Sequence, residues 1–159
     1  MAPPHTNRIN SSEPSFVPGE TYPSIFFSGA AFFLPFHFGA VKCLLDNCIS
    51  FETAYGVSSG AQAALAVLGG SDLDLGLRQC DDLSNQLKFF TLNYMASLYG
   101  KYFEKYRSRN CTTLEELRER LRVGLYDIKK HGSFFTNAFH TEKDLRDIIS
   151  ASGNIVPFM

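Results

Sequence analysis

The stretch Phe51-Glu52-Thr53-Ala54-Tyr55-Gly56-Val57-Ser58-Ser59-Gly60-Ala61-Gln62-Ala63-Ala64-Leu65-Ala66-Val67-Leu68 changes character at its middle. Phe51, Thr53 and Tyr55 favour a strand over 51–55. The alanine-rich run after Gly60 predicts a helix over 60–68 whose small side chains allow close packing on a sheet. Between them, Gly56 to Gly60 read G-x-S-x-G. That pentad alone is weak, since chance supplies it in roughly one chain in twenty of this length. Its flanks give it meaning. A serine on a tight strand-to-helix turn presents its hydroxyl beside helix N–H groups, and the two glycines remove side chains that would crowd the turn. Ser58 is the candidate nucleophile, with Gly56 and Gly60 as the glycines of its elbow.

Working outward, Ile25–Phe27 reads as a short buried strand, Ser28–Ala31 as a turn, and Phe32 or Leu34 to Asp46 as a helix. Pro35 is tolerated only in that helix's first turn. Ile25 to Val41 carries no formal charge, but Ser28, Gly29, Pro35, His37 and Gly39 interrupt it, and it falls short of the roughly 20 apolar residues of a membrane span. A strand, turn and helix fit it better. The two β-α units predict parallel strands. Residues 72–107 read as largely helical, with Leu83, Leu87, Phe90 and Tyr94 on one face. The aromatics Phe89, Phe90, Tyr94, Tyr99, Tyr102, Phe103 and Tyr106 admit two readings, core packing or a surface that touches lipid. Thr113-x-x-Glu116 caps a helix carrying Leu114, Leu117 and Leu121. Strands at Arg122–Ile128 and Phe134–Phe139 form a hairpin around Lys129–Gly132. Thr141-x-x-Asp144 opens a last helix with Leu145, Ile148 and Ile149 inward.

The 159 residues suffice for one domain with a core, and 45% hydrophobic with 19% charged residues is a globular balance. With a net charge of −1 and no basic stripe, nucleic acid is not an expected partner. Cys43, Cys48, Cys80 and Cys111 form no C-x-x-C pair and read as reduced, buried thiols. No metal cluster or nucleotide loop is visible, so no cofactor is expected. Residues 1–23, with Pro3, Pro4, Pro14, Pro18 and Pro23, read as a disordered lead-in ahead of a domain over 24–159. No secretory pattern is present, and the expected location is cytoplasmic.

A serine hydroxyl needs a base for its proton and donors for the oxyanion. Two layouts compete. Ser58, Asp127 and His140 occur in the order of an α/β-hydrolase triad, although little sheet precedes the serine. The other is a Ser–Asp dyad whose donors lie in the turn one β-α unit upstream.

The second layout resembles the patatin-like phospholipase domain, closest to the branch that includes adiponutrin and adipose triglyceride lipase. The residues that carry the resemblance are Phe27-Ser28-Gly29-Ala30-Ala31-Phe32, Gly39-Ala40-Val41-Lys42-Cys43-Leu44 and Tyr55-Gly56-Val57-Ser58-Ser59-Gly60-Ala61. Asp144 to Ser152 followed by Ile155-Val156-Pro157 is similar to the family's helix and proline turn ahead of its catalytic aspartate. The resemblance implies a three-layer α/β domain with a mostly parallel sheet flanked by helices. It also implies hydrolysis of glycerolipid acyl esters at a lipid droplet or membrane surface. Ser58 would be the nucleophile, and the amides of Gly29, Ala30 and Ala31 the oxyanion hole.

Two departures stand out. The family's turn is G-x-G-x-x-G, whereas only Gly29 remains here, with Ala31 and Leu34 at the other two positions. If position 31 needs positive φ, alanine costs on the order of 1 kcal/mol there. The family's aspartate sits in Asp-Gly-Gly or Asp-Gly-Ala, and this chain has no Asp-Gly pair. The domain is therefore expected to be incomplete at its C-terminal end and impaired as an enzyme. The alternative is a non-catalytic protein of the same fold that binds a lipid surface or a protein partner.

Overall fold

A computed structural model describes residues 22–86, 103, 107 and 112–153. Nearly all of the proline-rich lead-in, most of the aromatic run at 89–106, Cys111 and the Ile155-Val156-Pro157 turn lie outside the described residues. So do Leu87, Phe90 and Tyr94 of the expected helical face.

The chain forms β1 (Ile25–Phe27), a 3-10 turn (Ala31–Phe33), α1 (Leu34–Asp46), β2 (Ala54–Val57) and α2 (Ser59–Val67). It continues through α3 (Leu73–Gln86), α4 (Leu114–Arg120), β3 (Leu121–Asp127), β4 (Gly132–Thr136) and α5 (Glu142–Gly153). The strands lie in the order β1-β2-β3-β4. The first three are parallel and β4 is antiparallel to β3. This is an α/β fold with a mostly parallel open sheet. Helical crossovers join the parallel strands, as that pairing requires, and a short loop joins the antiparallel pair. In that loop the Asp127 carboxylate accepts the N–H groups of Lys129 and Lys130 at 2.9 and 3.1 Å.

Helix α2 sits at the centre. Ala61, Ala63, Ala64, Leu65, Ala66, Val67 and the adjoining Leu68 are all buried. A helix that is apolar nearly all round must be covered all round. The sheet covers one side of α2, while α1 and α5 pack against the rest. Phe27, Ala54, Leu121 and Val123 supply the sheet's side of this core, and Leu145 and Ile149 supply α5's. Phe103 and Phe139 are the bulkiest fully buried side chains among the described residues. Arg107 binds α5 to the loop after α2. Its guanidinium meets both Glu142 carboxylate oxygens at 3.0 and 2.7 Å and the Gly70 carbonyl at 2.7 Å. Such two-pronged charged pairs fix orientation as well as distance.

Among the described residues, α2 and α5 pack against the face of the sheet that buries Phe27, Ala54, Leu121 and Val123. The other face carries Phe26, Tyr55 and Phe135, with Phe135 edge-on to Phe26 at 6.3 Å and to Tyr55 at 5.3 Å. Phe26 and Phe135 are exposed.

Several boundaries shift for local reasons. The strand read over 51–55 begins at Ala54, because the carbonyls of Phe51 and Glu52 are taken by the Arg120 guanidinium at 2.6 and 3.1 Å. The capping box at Thr113 and Glu116 is present, and its bonds from Thr113 hold the Glu116 carboxyl below its ordinary pKa. Its helix stops at Arg120, so Leu121 opens β3 instead of extending the helical stripe. Strand β4 ends at Thr136, whose hydroxyl accepts the Ala138 N–H at 3.1 Å. The chain then turns Phe139 into the core. At the start of α5 the Asp144 carboxylate accepts the N–H groups of His140 and Thr141 at 3.0 and 2.9 Å. The His140 bond is the main reason its pKa is lowered. The thiols also depart from expectation. Among the described cysteines, Cys43 and Cys48 are exposed on and after α1, and Cys80 is partly buried, which pushes its pKa up to about 11.

Residues 25–46 form β1, the turn and α1, and among the described residues no helix is long and apolar enough to cross a membrane.

Candidate active site

Strand β2 ends at Val57 and α2 starts at Ser59, so Ser58 is the whole connection. Turning a strand into a helix across one residue forces an unusual backbone, and Ser58 has φ 56° and ψ −127°. L-residues with side chains avoid this region, and such conformations cost of order 1–3 kcal/mol each. Ser58 occupies the position that caps α2, yet its hydroxyl makes no capping bond. The side chain is thereby left for other chemistry.

The two glycines of the elbow are required by close approach. A Cβ on Gly56 would stand 2.3 Å from the Gly60 carbonyl oxygen. One on Gly60 would stand 2.3 Å from the Phe27 carbonyl oxygen and 2.5 Å from that of Ser28. The second contact also places the start of α2 against the end of β1. The turn after β1 consequently lies over the serine. A Cβ on Gly29 would be 3.3 Å from the Ser58 Cβ and 4.0 Å from its Oγ.

The three amides of that turn differ in their use. The Ala30 N–H donates to the Ser59 Oγ at 2.9 Å, and Ser59 is buried. Among the described residues the Gly29 and Ala31 amides have no such partner. The turn closes with the Phe33 N–H on the Ala30 carbonyl at 2.9 Å. Behind it, the His37 Nε2 lies 3.0 Å from the Ser28 carbonyl oxygen. A carbonyl only accepts, so the proton is on Nε2. The ring also packs edge-on to Phe27 at 5.6 Å. Leu34 is buried in the core at the start of α1.

Ala31 has φ 45°, in the left-handed region, so the condition posed for position 31 is met. Alanine pays about 1–2 kcal/mol there, and glycine pays roughly 0.5–1 kcal/mol of extra chain entropy. Ala31→Gly is therefore expected to stabilise the domain by about 0.5–1 kcal/mol. Urea unfolding of the two proteins measures it, as a higher midpoint at unchanged slope.

The residues of the alternative triad are not brought to Ser58. Asp127 is engaged in the β3–β4 loop. His140 has its Nδ1 3.2 Å from the Arg118 guanidinium, and Arg118 lies in the helix that precedes β3. That is the amino-terminal edge of the parallel strands, whereas Ser58 is at the carboxy-terminal edge. Asp144 and Asp147 lie on the first two turns of α5, bonded to the helix start and to Lys143 and Arg146. The Lys143 bond leads in lowering the Asp147 pKa. No carboxylate or imidazole hydrogen-bonds to Ser58 among the described residues.

Three contributors to the site escaped the sequence reading. Ser59 lies inside a quoted motif and His37 between two of them, but neither carried a role. Ser152, from α5, accepts the Ser58 N–H at 2.8 Å although 94 residues separate them. No family model matches this chain, and comparison with curated proteins returned no significant match.

Proposed function

We propose that this chain carries the nucleophile of a patatin-like acyl hydrolase acting on glycerolipid esters. The observation that supports the reading best is Ser58 alone on a strand-to-helix turn at φ 56°, with the Gly29 turn facing its hydroxyl. In this reading the Ser58 Oγ adds to the ester carbonyl, and the Gly29 and Ala31 amides take up the oxyanion charge. The Ala30 amide, held by Ser59, orients the turn and is not a third donor. The oxyanion collapses with loss of the alcohol, and water releases the fatty acid from the serine. The resemblance places the base of the dyad on an aspartate in an Asp-Gly pair, which these 159 residues do not contain. Without it, only a small residue of the full rate remains. Phe33 and Phe36, both exposed just beyond the turn, would meet the lipid surface. The location in this reading is cytoplasmic, with peripheral attachment to lipid droplets or membranes.

A fluorophosphonate probe, which phosphonylates activated serines, tests this reading. The chain is expected to label and Ser58→Ala to lose all labelling. Labelling that persists in the alanine variant, or none even when an Asp-Gly segment is appended after Met159, refutes it.

One observation favours a second reading, a non-catalytic lipid-surface or partner-binding protein of this fold. No carboxylate or imidazole hydrogen-bonds to the Ser58 hydroxyl among the described residues. That reading expects flotation with liposomes that Ser58→Ala does not change, and no labelling.

A further inference from the structure

We propose that Ser152 is a positioning residue for Ser58, a hydroxyl that takes the place of one rung of the sheet and so keeps the nucleophile turn open. The role in catalysis rests on the hydrolase reading above, but the structural part does not.

The register supplies the argument. Val57 lies opposite Gly124 in the parallel β2–β3 pair. The next ladder bond would join the Ser58 N–H to the Gly124 carbonyl. The Ser152 Oγ stands between those two groups. It accepts the Ser58 N–H at 2.8 Å and donates to the Gly124 oxygen at 2.6 Å. Both backbone groups are satisfied, yet the strands are not joined at that point. This matters because Ser58 cannot be a strand residue and also adopt φ 56°. A strained residue persists only when its surroundings hold it from several sides. The glycine contacts hold Ser58 from the β1 side, and Ser152 holds it from the β3 side.

The placement of Ser152 is secured independently. It lies in the last turn of α5, whose Leu145 and Ile149 are buried in the core and whose first turn is held by Arg107 through Glu142. Other groups facing the elbow do not offer a substitute. Ser59 is already bonded to the Ala30 amide.

The test compares the full chain with Ser152→Ala and Ser152→Thr. NMR reads amide hydrogen exchange at Ser58, with Ala64 in α2 as the internal reference. Fluorophosphonate labelling is followed across probe concentrations, which separates the limiting rate from half-saturation. Loss of the hydroxyl is expected to speed Ser58 exchange about tenfold relative to Ala64. The limiting labelling rate should fall by a similar factor with half-saturation unchanged. Threonine, which keeps the hydroxyl, should restore both. Wild-type exchange at Ser58 in the alanine variant, or no recovery with threonine, overturns the proposal. If wild type does not label even with an Asp-Gly segment appended, the hydrolase reading fails, and the exchange measurement alone decides the role of Ser152. Should the alanine variant not fold, Ser152→Cys is measured instead. It keeps the volume and weakens both bonds, and it is held to the same direction of change in Ser58 exchange.

Discussion

Gly60→Ala is expected to destabilise the domain by roughly 3 kcal/mol, at the upper end of what one added methyl does in a packed interior. The added carbon would lie 2.3 Å from the Phe27 carbonyl oxygen and 2.5 Å from that of Ser28, and both obstacles are backbone. A side chain could rotate away, but the end of β1 cannot move without disturbing its pairing with β2. The same movement would drag the Gly29 turn off Ser58, so one substitution attacks both fold and site. Gly39 provides the comparison. It lies on α1, and a Cβ there meets nothing within 4 Å. Gly39→Ala should instead be neutral or stabilising by up to about 1 kcal/mol, the helix-propensity difference. Urea unfolding of both variants beside the parent reads the contrast. Equal effects would mean that the close approach of α2 to β1 does not set the elbow.

That contrast also shows where the sequence was legible. Local signals placed the elements well. The glycine spacing and its flanks located the strand-serine-helix turn, the two capping boxes located α4 and α5, and Pro35 marked the start of α1. Each depends on residues within a few positions of one another, so periodicity and turn chemistry suffice. What was not legible depends on partners far along the chain. Strand β2 begins at Ala54 because Arg120, some seventy residues on, occupies the carbonyls of Phe51 and Glu52. Leu121 continues a leucine spacing that looks helical, but the sheet has a place for it beside Ala54. The exposure of Cys43 and Cys48 follows from which side of α1 faces the core, and a count of cysteines does not contain that.

The site divides the same way. Ser58, Gly56, Gly60 and Gly29 could be named from the sequence, because close approach admits so few residue types. The positive φ at Ala31 could be anticipated because glycine is the usual occupant in the family that the turn resembles. The unequal roles of the three turn amides could not, since they depend on a single hydroxyl, that of Ser59, reaching back across the elbow. Nor could Ser152, whose part exists only once α5 has docked on β3. A hydroxyl near the end of an amphipathic helix has no sequence signature that separates it from a solvated one. Arg107 matters for the same reason, since it fixes the docking of that helix from outside the motifs.

Ser58→Gly is expected to do two opposite things, abolishing fluorophosphonate labelling while raising stability by about 1 kcal/mol. The first follows because no hydroxyl remains. The second follows from the backbone. At φ 56° and ψ −127° a residue with a Cβ is strained by of order 1–3 kcal/mol, and glycine is not. Glycine's extra entropy in the unfolded chain returns roughly 0.5–1 kcal/mol of that gain. Ser58→Ala separates the two effects, because it also removes the nucleophile but keeps the Cβ, and it should therefore leave stability close to that of the parent. The glycine variant thus exceeds the alanine variant in stability while neither labels. A domain that merely packs would have no reason to keep a side chain where its own backbone resists one. A domain that presents a nucleophile must keep it there, because the conformation that strains the residue also points its hydroxyl at the Gly29 turn. If the glycine and alanine variants unfold at the same urea concentration, strain is not stored at position 58, and the strongest structural support for the hydrolase reading is lost with it.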